Sequence, residues 1–86
     1  MINKEKFELS INSALGYLTK YYSDRFNKPY SEMYPILLQT ETVRILRDKN
    51  SRLFLEDITL IIDALEIERT KGKEEAISYL YKNIGG

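Results

Sequence analysis

Cysteine and histidine are both absent from this 86-residue chain, and each absence removes a body of chemistry. Without cysteine there are no disulfides, no thiolate metal ligands and no cysteine nucleophile, and the redox compartment stays open. Without histidine, the usual general base at neutral pH, the triads built on it and the commonest transition-metal ligand are all missing. Catalysis would rest on carboxylates, Lys or Tyr, and no constellation of these stands out. The chain therefore reads as a non-enzyme with no cofactor and no metal. An excess charge of one sign is also lacking: 13 Lys plus Arg balance 13 Asp plus Glu. No global positive field attracts phosphate backbones or anionic lipid, so nucleic acid is not the default partner. No apolar run approaches the roughly 20 residues of a membrane span, and Met1-Ile2-Asn3-Lys4-Glu5-Lys6 leads into an amphipathic pattern rather than a signal-peptide core. No membrane association is expected, and a cytoplasmic location is the simplest reading.

Proline and glycine are scarce, two and four residues, while Leu, Glu, Lys and Ala fill the periodic stretches, which favours helix over sheet. Hydrophobic residues at 43% and charged residues at 30% suit a globular chain rather than a disordered one. The length allows one core and not two. Residues 1–86 thus read as a single all-α domain, a compact irregular or orthogonal bundle of four to five helices.

Helical periodicity over 4–26 places Phe7, Ile11, Ala14, Leu15, Leu18, Tyr21, Tyr22 and Phe26 on one face. Arg25 falls inside that stripe, with its guanidinium expected to reach solvent or the last carbonyls. Asn27-Lys28-Pro29 is the stop. Ser31 is the expected cap of a short second helix in which Met33, Ile36 and Leu37 share a face and Pro35 is tolerated. Thr40 caps a segment through about Lys49 that buries Val43 and Leu46. Leu53-Phe54-Leu55 is too short to classify. Asp57 caps a helix from Ile58 to about Lys71, apolar on two sides: Ile58, Ile61, Ile62 and Leu65 against Leu60, Ala64 and Ile67. Such a helix is central. Gly72 ends it in a left-handed conformation, and a last helix over about 73–84 presents Ala76, Ile77, Leu80 and Ile84. Gly85-Gly86 reads as a frayed end rather than a conjugation tail.

Thr42, Leu46, Asp48, Ser51, Leu53 and Glu56, within residues 40–57, resemble a pattern in small uncharacterised bacterial proteins found near toxin–antitoxin-like genes. In that pattern Val43 and Phe54 stand where Tyr is usual, Ile45 where Leu is and Asp57 where Ser is. The similarity covers about a fifth of the chain. It implies an antitoxin-like or accessory, regulatory component of a bacterial or phage system that binds another protein, and it carries over no catalytic residue.

Four candidate surfaces follow. Arg44, Arg47, Lys49 and Arg52 face Asp48 alone, which suits an acidic protein partner or compensates the stretch Glu56–Glu75, where seven acids meet three bases. The same run would carry the alternative function, a nucleic-acid-binding regulator with a helix-turn-helix-like pair around 41–70 and Arg44, Arg47 and Arg52 on phosphates. Its weaknesses are the acidic central helix and the lack of interleaved aromatics. Glu56-Asp57 followed by Asp63, Glu66 and Glu68, with Asp63 and Glu66 on one helix face, offers a metal or acid/base pair as the minority reading. Tyr17, Tyr34, Tyr79 and Tyr81 lie at the margins of helical stripes, where Tyr serves either the core edge or binding. Finally, the back of the first helix, with Ile2, Leu9, Asn12, Ser13 and Gly16, is apolar at one end and small toward the middle. It suits symmetric pairing as a homodimer, or cover by the C-terminal helix. The partner-binding candidates are therefore Leu9, Gly16, Tyr17, Arg44, Arg47, Arg52 and Tyr81.

Overall fold

A computed structural model describes residues 4–85; the expectations for Ile2 and Gly86 lie outside that range. The described chain is all-α: α1 (Lys4–Phe26), α2 (Tyr30–Leu38), α3 (Glu41–Leu46), two 3₁₀ turns (Lys49–Ser51 and Leu53–Leu55), α4 (Ile58–Lys71) and α5 (Lys73–Asn83). No helix of the described residues is long and apolar enough to cross a membrane.

α1 stops at the expected place. Asn27 turns left-handed at φ 53°, and the Lys28 N–H donates to the Ser23 carbonyl at 3.1 Å. That bond closes a Schellman turn, after which Pro29 prevents continuation. Pro29 is also where α2 begins. Its extended backbone presents a carbonyl that accepts from Glu32 and Met33, both at 3.0 Å. Ser31, expected as the cap, instead lies inside the first turn, because proline's fixed φ already sets the helix start. Only Met33 and Leu37, four apart, are buried on α2. Ile36 is 47% exposed, since the line of contact with α1 follows the i, i+4 row and leaves it at the edge.

Thr40 caps α3 as expected, accepting from Val43 N–H at 3.2 Å. The helix ends at Leu46 rather than near Lys49. Asp48 accepts from Asn50 N–H at 3.0 Å, and the Ser51 hydroxyl lies 2.7 Å from the Ile45 carbonyl. These side-chain bonds compete with helix and turn the chain. Leu53-Phe54-Leu55 forms the second 3₁₀ turn, with Leu53 fully buried and Phe54 edge-on to Phe7 at 4.8 Å. The ring pair ties the start of α1 to the middle of the chain.

Asp57 caps α4 through Thr59 N–H at 2.9 Å. Ile61, Ala64 and Leu65 are buried, while Ile58, Leu60, Ile62 and Ile67 are half-buried, so α4 is apolar on more than one side, as its pattern predicts. Gly72 has φ 103° with ψ 165°, a conformation open essentially to glycine alone and not the left-handed helical one expected. Its N–H donates to the Glu68 carbonyl at 3.0 Å and its own carbonyl accepts from Ala76 at 3.3 Å. One residue therefore ends α4 and starts α5. The two helices run antiparallel, as the contacts Tyr79–Asp63 and Gly85–Glu56 require.

The architecture is two helical hairpins, α1–α2 and α4–α5, with α3 packed against α2, α4 and α5. Leu18, Val43, Leu46, Leu53, Ala64 and Leu80, one or more from each of five elements, are fully buried at its centre. Two rings of the α1 stripe, Tyr21 and Phe26, are 36% and 38% exposed. The core narrows toward the end of α1, and there a polar cluster takes its place.

Candidate functional site

That cluster is centred on Glu66 of α4. Tyr22 donates its hydroxyl to Glu66 Oε2 at 2.8 Å. Arg25 lies 2.9 Å from Glu66 Oε1 and Arg69 2.7 Å from the same oxygen. The guanidinium carbons of Arg25 and Arg69 stand 5.2 and 5.6 Å from the Phe26 ring centroid, within cation–π range. Arg25 therefore stays partly in solvent, as its place in the stripe predicts, but its guanidinium crosses to the carboxylate of Glu66 on α4 rather than to the last carbonyls of its own helix. The Arg69 hydrogen bond, joined by those from Tyr22 and Arg25, outweighs burial and holds the Glu66 carboxyl down to about 2. Burial, reinforced by the Glu66 charge, pushes the Tyr22 hydroxyl upward.

A depressed carboxylate has a definite sign in stability. Glu66 favours the folded state fully above its ordinary value of 4.5, and that contribution is lost as pH falls toward about 2. In urea unfolding, wild type should exceed Glu66→Gln in midpoint at neutral pH, and the gap should close between those two values. A gap independent of pH would mean that the charge of Glu66 does not contribute.

Two residues on, Glu68 performs a different task. Its Oε2 accepts from Glu41 N–H at 2.8 Å and its Oε1 from Thr42 N–H at 2.9 Å and Thr42 Oγ1 at 2.8 Å. A side chain of α4 thus caps the first turn of α3.

On the outer side of α1 and α2 the aromatic residues gather. Tyr17 is 55% exposed and Tyr30 49%, with Tyr21 and Tyr34 flanking them. Tyr30 and Tyr34 stack with centroids 6.2 Å apart. Gly16 shares a shallow depression with Tyr17, Lys20, Tyr21 and Asp24, and a Cβ at Gly16 would meet the Tyr30 hydroxyl at 3.9 Å. Gly16 therefore links the tyrosines of one helix to those of the other. The C-terminal helix does not cover this back of α1, because α5 is held against α4 and α3. Leu9 and Asn12 stay exposed there.

Of the sequence candidates, Gly16 and Tyr17 come together on this face, and Leu9 lies two turns away on the same helix. The basic run is divided. Arg44 forms a close ion pair with Glu41 and lies within electrostatic reach of Tyr81, which is 69% exposed. Arg47 lines a separate groove with Phe7, Ile11 and Tyr34, and Arg52 sits in a left-handed bend at φ 62° between the 3₁₀ turns. Residues 47–57 separate α3 from α4, so the three- to four-residue turn of a helix-turn-helix is not formed there. The carboxylates considered for metal are engaged elsewhere: Asp63 accepts from Tyr79 at 3.3 Å and Glu66 holds the arginines. Among the described residues no cluster of three such ligands occurs.

No family model, curated protein or solved structure matches the chain. The residues behind the bacterial resemblance perform folding tasks. Thr42, Leu46 and Leu53 are fully buried, and Asp48, Ser51 and Glu56 bond to backbone. Tyr21, Tyr30, Phe26, Ile36 and Arg69 carry exposed apolar or charged surface that the sequence candidates omit. For Tyr30 and Tyr34 a signal exists: they are four apart, on one face of any helix begun at Pro29.

Proposed function

We propose that this chain is a non-catalytic protein-binding module whose contact surface is the tyrosine face of α1 and α2. The observation that carries this reading is the continuity of Tyr21, Tyr17, Gly16, Tyr30 and Tyr34 across two rigid helices. Tyrosine gives large contact area and a hydroxyl with only two side-chain torsions to immobilise, and is enriched at interface hot spots. The antitoxin-like or accessory role implied by the resemblance over 40–57 is the narrower form of the proposal. What supports it is the sequence pattern over 40–57 alone, whose residues in this chain serve the fold rather than the tyrosine face.

The test is capture from the native cell by the wild-type chain and by a Tyr17→Ala/Tyr30→Ala double variant. Both side chains are about half exposed, so the variant should keep its helical circular dichroism. A stoichiometric partner should bind wild type at least tenfold more tightly. Equal capture by both chains would remove the tyrosine face from the interface. Sedimentation of the wild type alone distinguishes a second copy from a different protein.

A further inference from the structure

Across α2 from Tyr30 and Tyr34 lies a further concavity, bounded by the end of α1, the middle of α2 and the third turn of α4. Its floor is Tyr22, Met33, Leu37 and Leu65, each at most 5% exposed, and its two lips are Phe26 at 38% and Ile36 at 47%. The volume of this half-open groove is about 260 Å³. A cavity of about 150 Å³ holds benzene, so there is room for one aromatic or two small aliphatic side chains and not for an extended ligand. Two large apolar side chains stay exposed on facing lips, which is where an inserted side chain would recover buried area.

The polar edge is asymmetric. Arg25 and Arg69 meet one carboxylate there, Glu66, which already accepts from Tyr22 as well. Each guanidinium carries five N–H donors, more than Glu66 can take. Their side chains remain 37% and 47% exposed. The other carboxylate on this edge, Glu68, has both oxygens occupied by the start of α3. The edge thus offers donors and lacks acceptors.

Building on the protein-binding reading, we infer that this groove receives an acidic amphipathic helix of the partner protein. A bulky apolar side chain inserts between Phe26 and Ile36, and an Asp or Glu one turn away meets Arg25 and Arg69. The described residues form no sheet edge on which a strand could be added, and a helix laid in a groove presents apolar and charged anchors at the needed three- or four-residue spacing. Recognition is then selective by hydrogen bonding rather than by net charge, since Glu66 and Glu68 balance the two arginines: an acidic helix meets unfilled guanidinium N–H groups, whereas a basic helix of equal hydrophobicity finds the carboxylate oxygens already taken.

The probe is a synthetic amphipathic peptide of about fifteen residues carrying Leu and Phe one turn apart, flanked by glutamates, together with a twin in which every glutamate is lysine. Each is titrated into the isotope-labelled full chain and followed by amide NMR. The acidic peptide should shift Phe26, Ile36, Leu37 and Arg69 and bind at least tenfold more tightly than its twin. Ile36→Ser should weaken it at least tenfold while leaving the thermal melt unchanged, since Ile36 is a half-exposed lip. Equal binding of the twins, or no shift up to about 1 mM peptide, would overturn the assignment. Shifts confined to the Tyr17–Tyr34 face would reject the groove while leaving the protein-binding reading standing. Larger shifts at Arg25 and Arg69 with duplex DNA than with the acidic peptide would replace it with nucleic-acid contact.

Discussion

Shortening Leu53 to alanine is expected to cost about 3–5 kcal/mol, the range for a fully buried leucine whose site collapses poorly. Leu53 is fully buried although it belongs to a three-residue 3₁₀ turn, and that turn packs against both α1 and α3. The side chain therefore acts as a wedge between the N-terminal hairpin and the connector helix, and a cavity there is walled by helices that cannot move independently. A chain of this size is stable by only about 5–10 kcal/mol, so the loss should lower the melting temperature by about 15–30 °C. Leu55, two residues later and 56% exposed, supplies the control. Its alanine variant should change stability by less than about 0.5 kcal/mol. Thermal circular dichroism of the two variants checks the turn directly, and comparable losses would mean that the wrong leucine has been placed inside.

The second large effect is expected at Glu68. Its carboxylate satisfies two orphan amides at the start of α3 and the hydroxyl of Thr42, which is fully buried. Removing it by Glu68→Ala leaves those donors without their charged acceptor. Hydrogen bonds to charged groups contribute about 1.5–3 kcal/mol each but are not additive within one cluster, so a total of about 2–4 kcal/mol is expected in urea unfolding. Glu68→Gln keeps one carbonyl acceptor and should recover about half of it. Glu74, exposed in the first turn of α5, is the comparison. Equal costs for Glu68→Ala and Glu74→Ala would show that α3 stands without this cap.

The elements best read from sequence are those whose signals are local. Thr40 and Asp57 cap because a short polar side chain at that offset reaches the N–H two or three residues on, and the long period of α1 is visible in its own residues. α3 and the turns after it were not legible in the same way. Four of its six residues are buried, so packing holds a helix too short to persist alone, and Asp48 and Ser51 end it early. The site follows the same division. Gly16 and Tyr17 could be nominated from one helix, whereas the Tyr22–Glu66 bond spans 44 positions and the Glu68 cap 26 or 27. No periodicity reports a partner so far away. The basic run from Arg44 to Arg52 is continuous only along the chain: Arg44 and Arg47 already point to different sides of α3, and the bend at Arg52 separates that residue in turn.

Pairing each long helix with its neighbour in sequence also bears on how quickly the molecule assembles. Both hairpins, α1–α2 and α4–α5, close over short separations, α4–α5 around the single residue Gly72. Such local topology is associated with folding on the order of microseconds to milliseconds. The distant contacts of Glu66 with Tyr22 and Arg25 join one hairpin to the other, while Glu68 ties α4 to the connector α3. Each hairpin is then expected to form as its own kinetic unit, with Glu66 as the clasp between them that closes last.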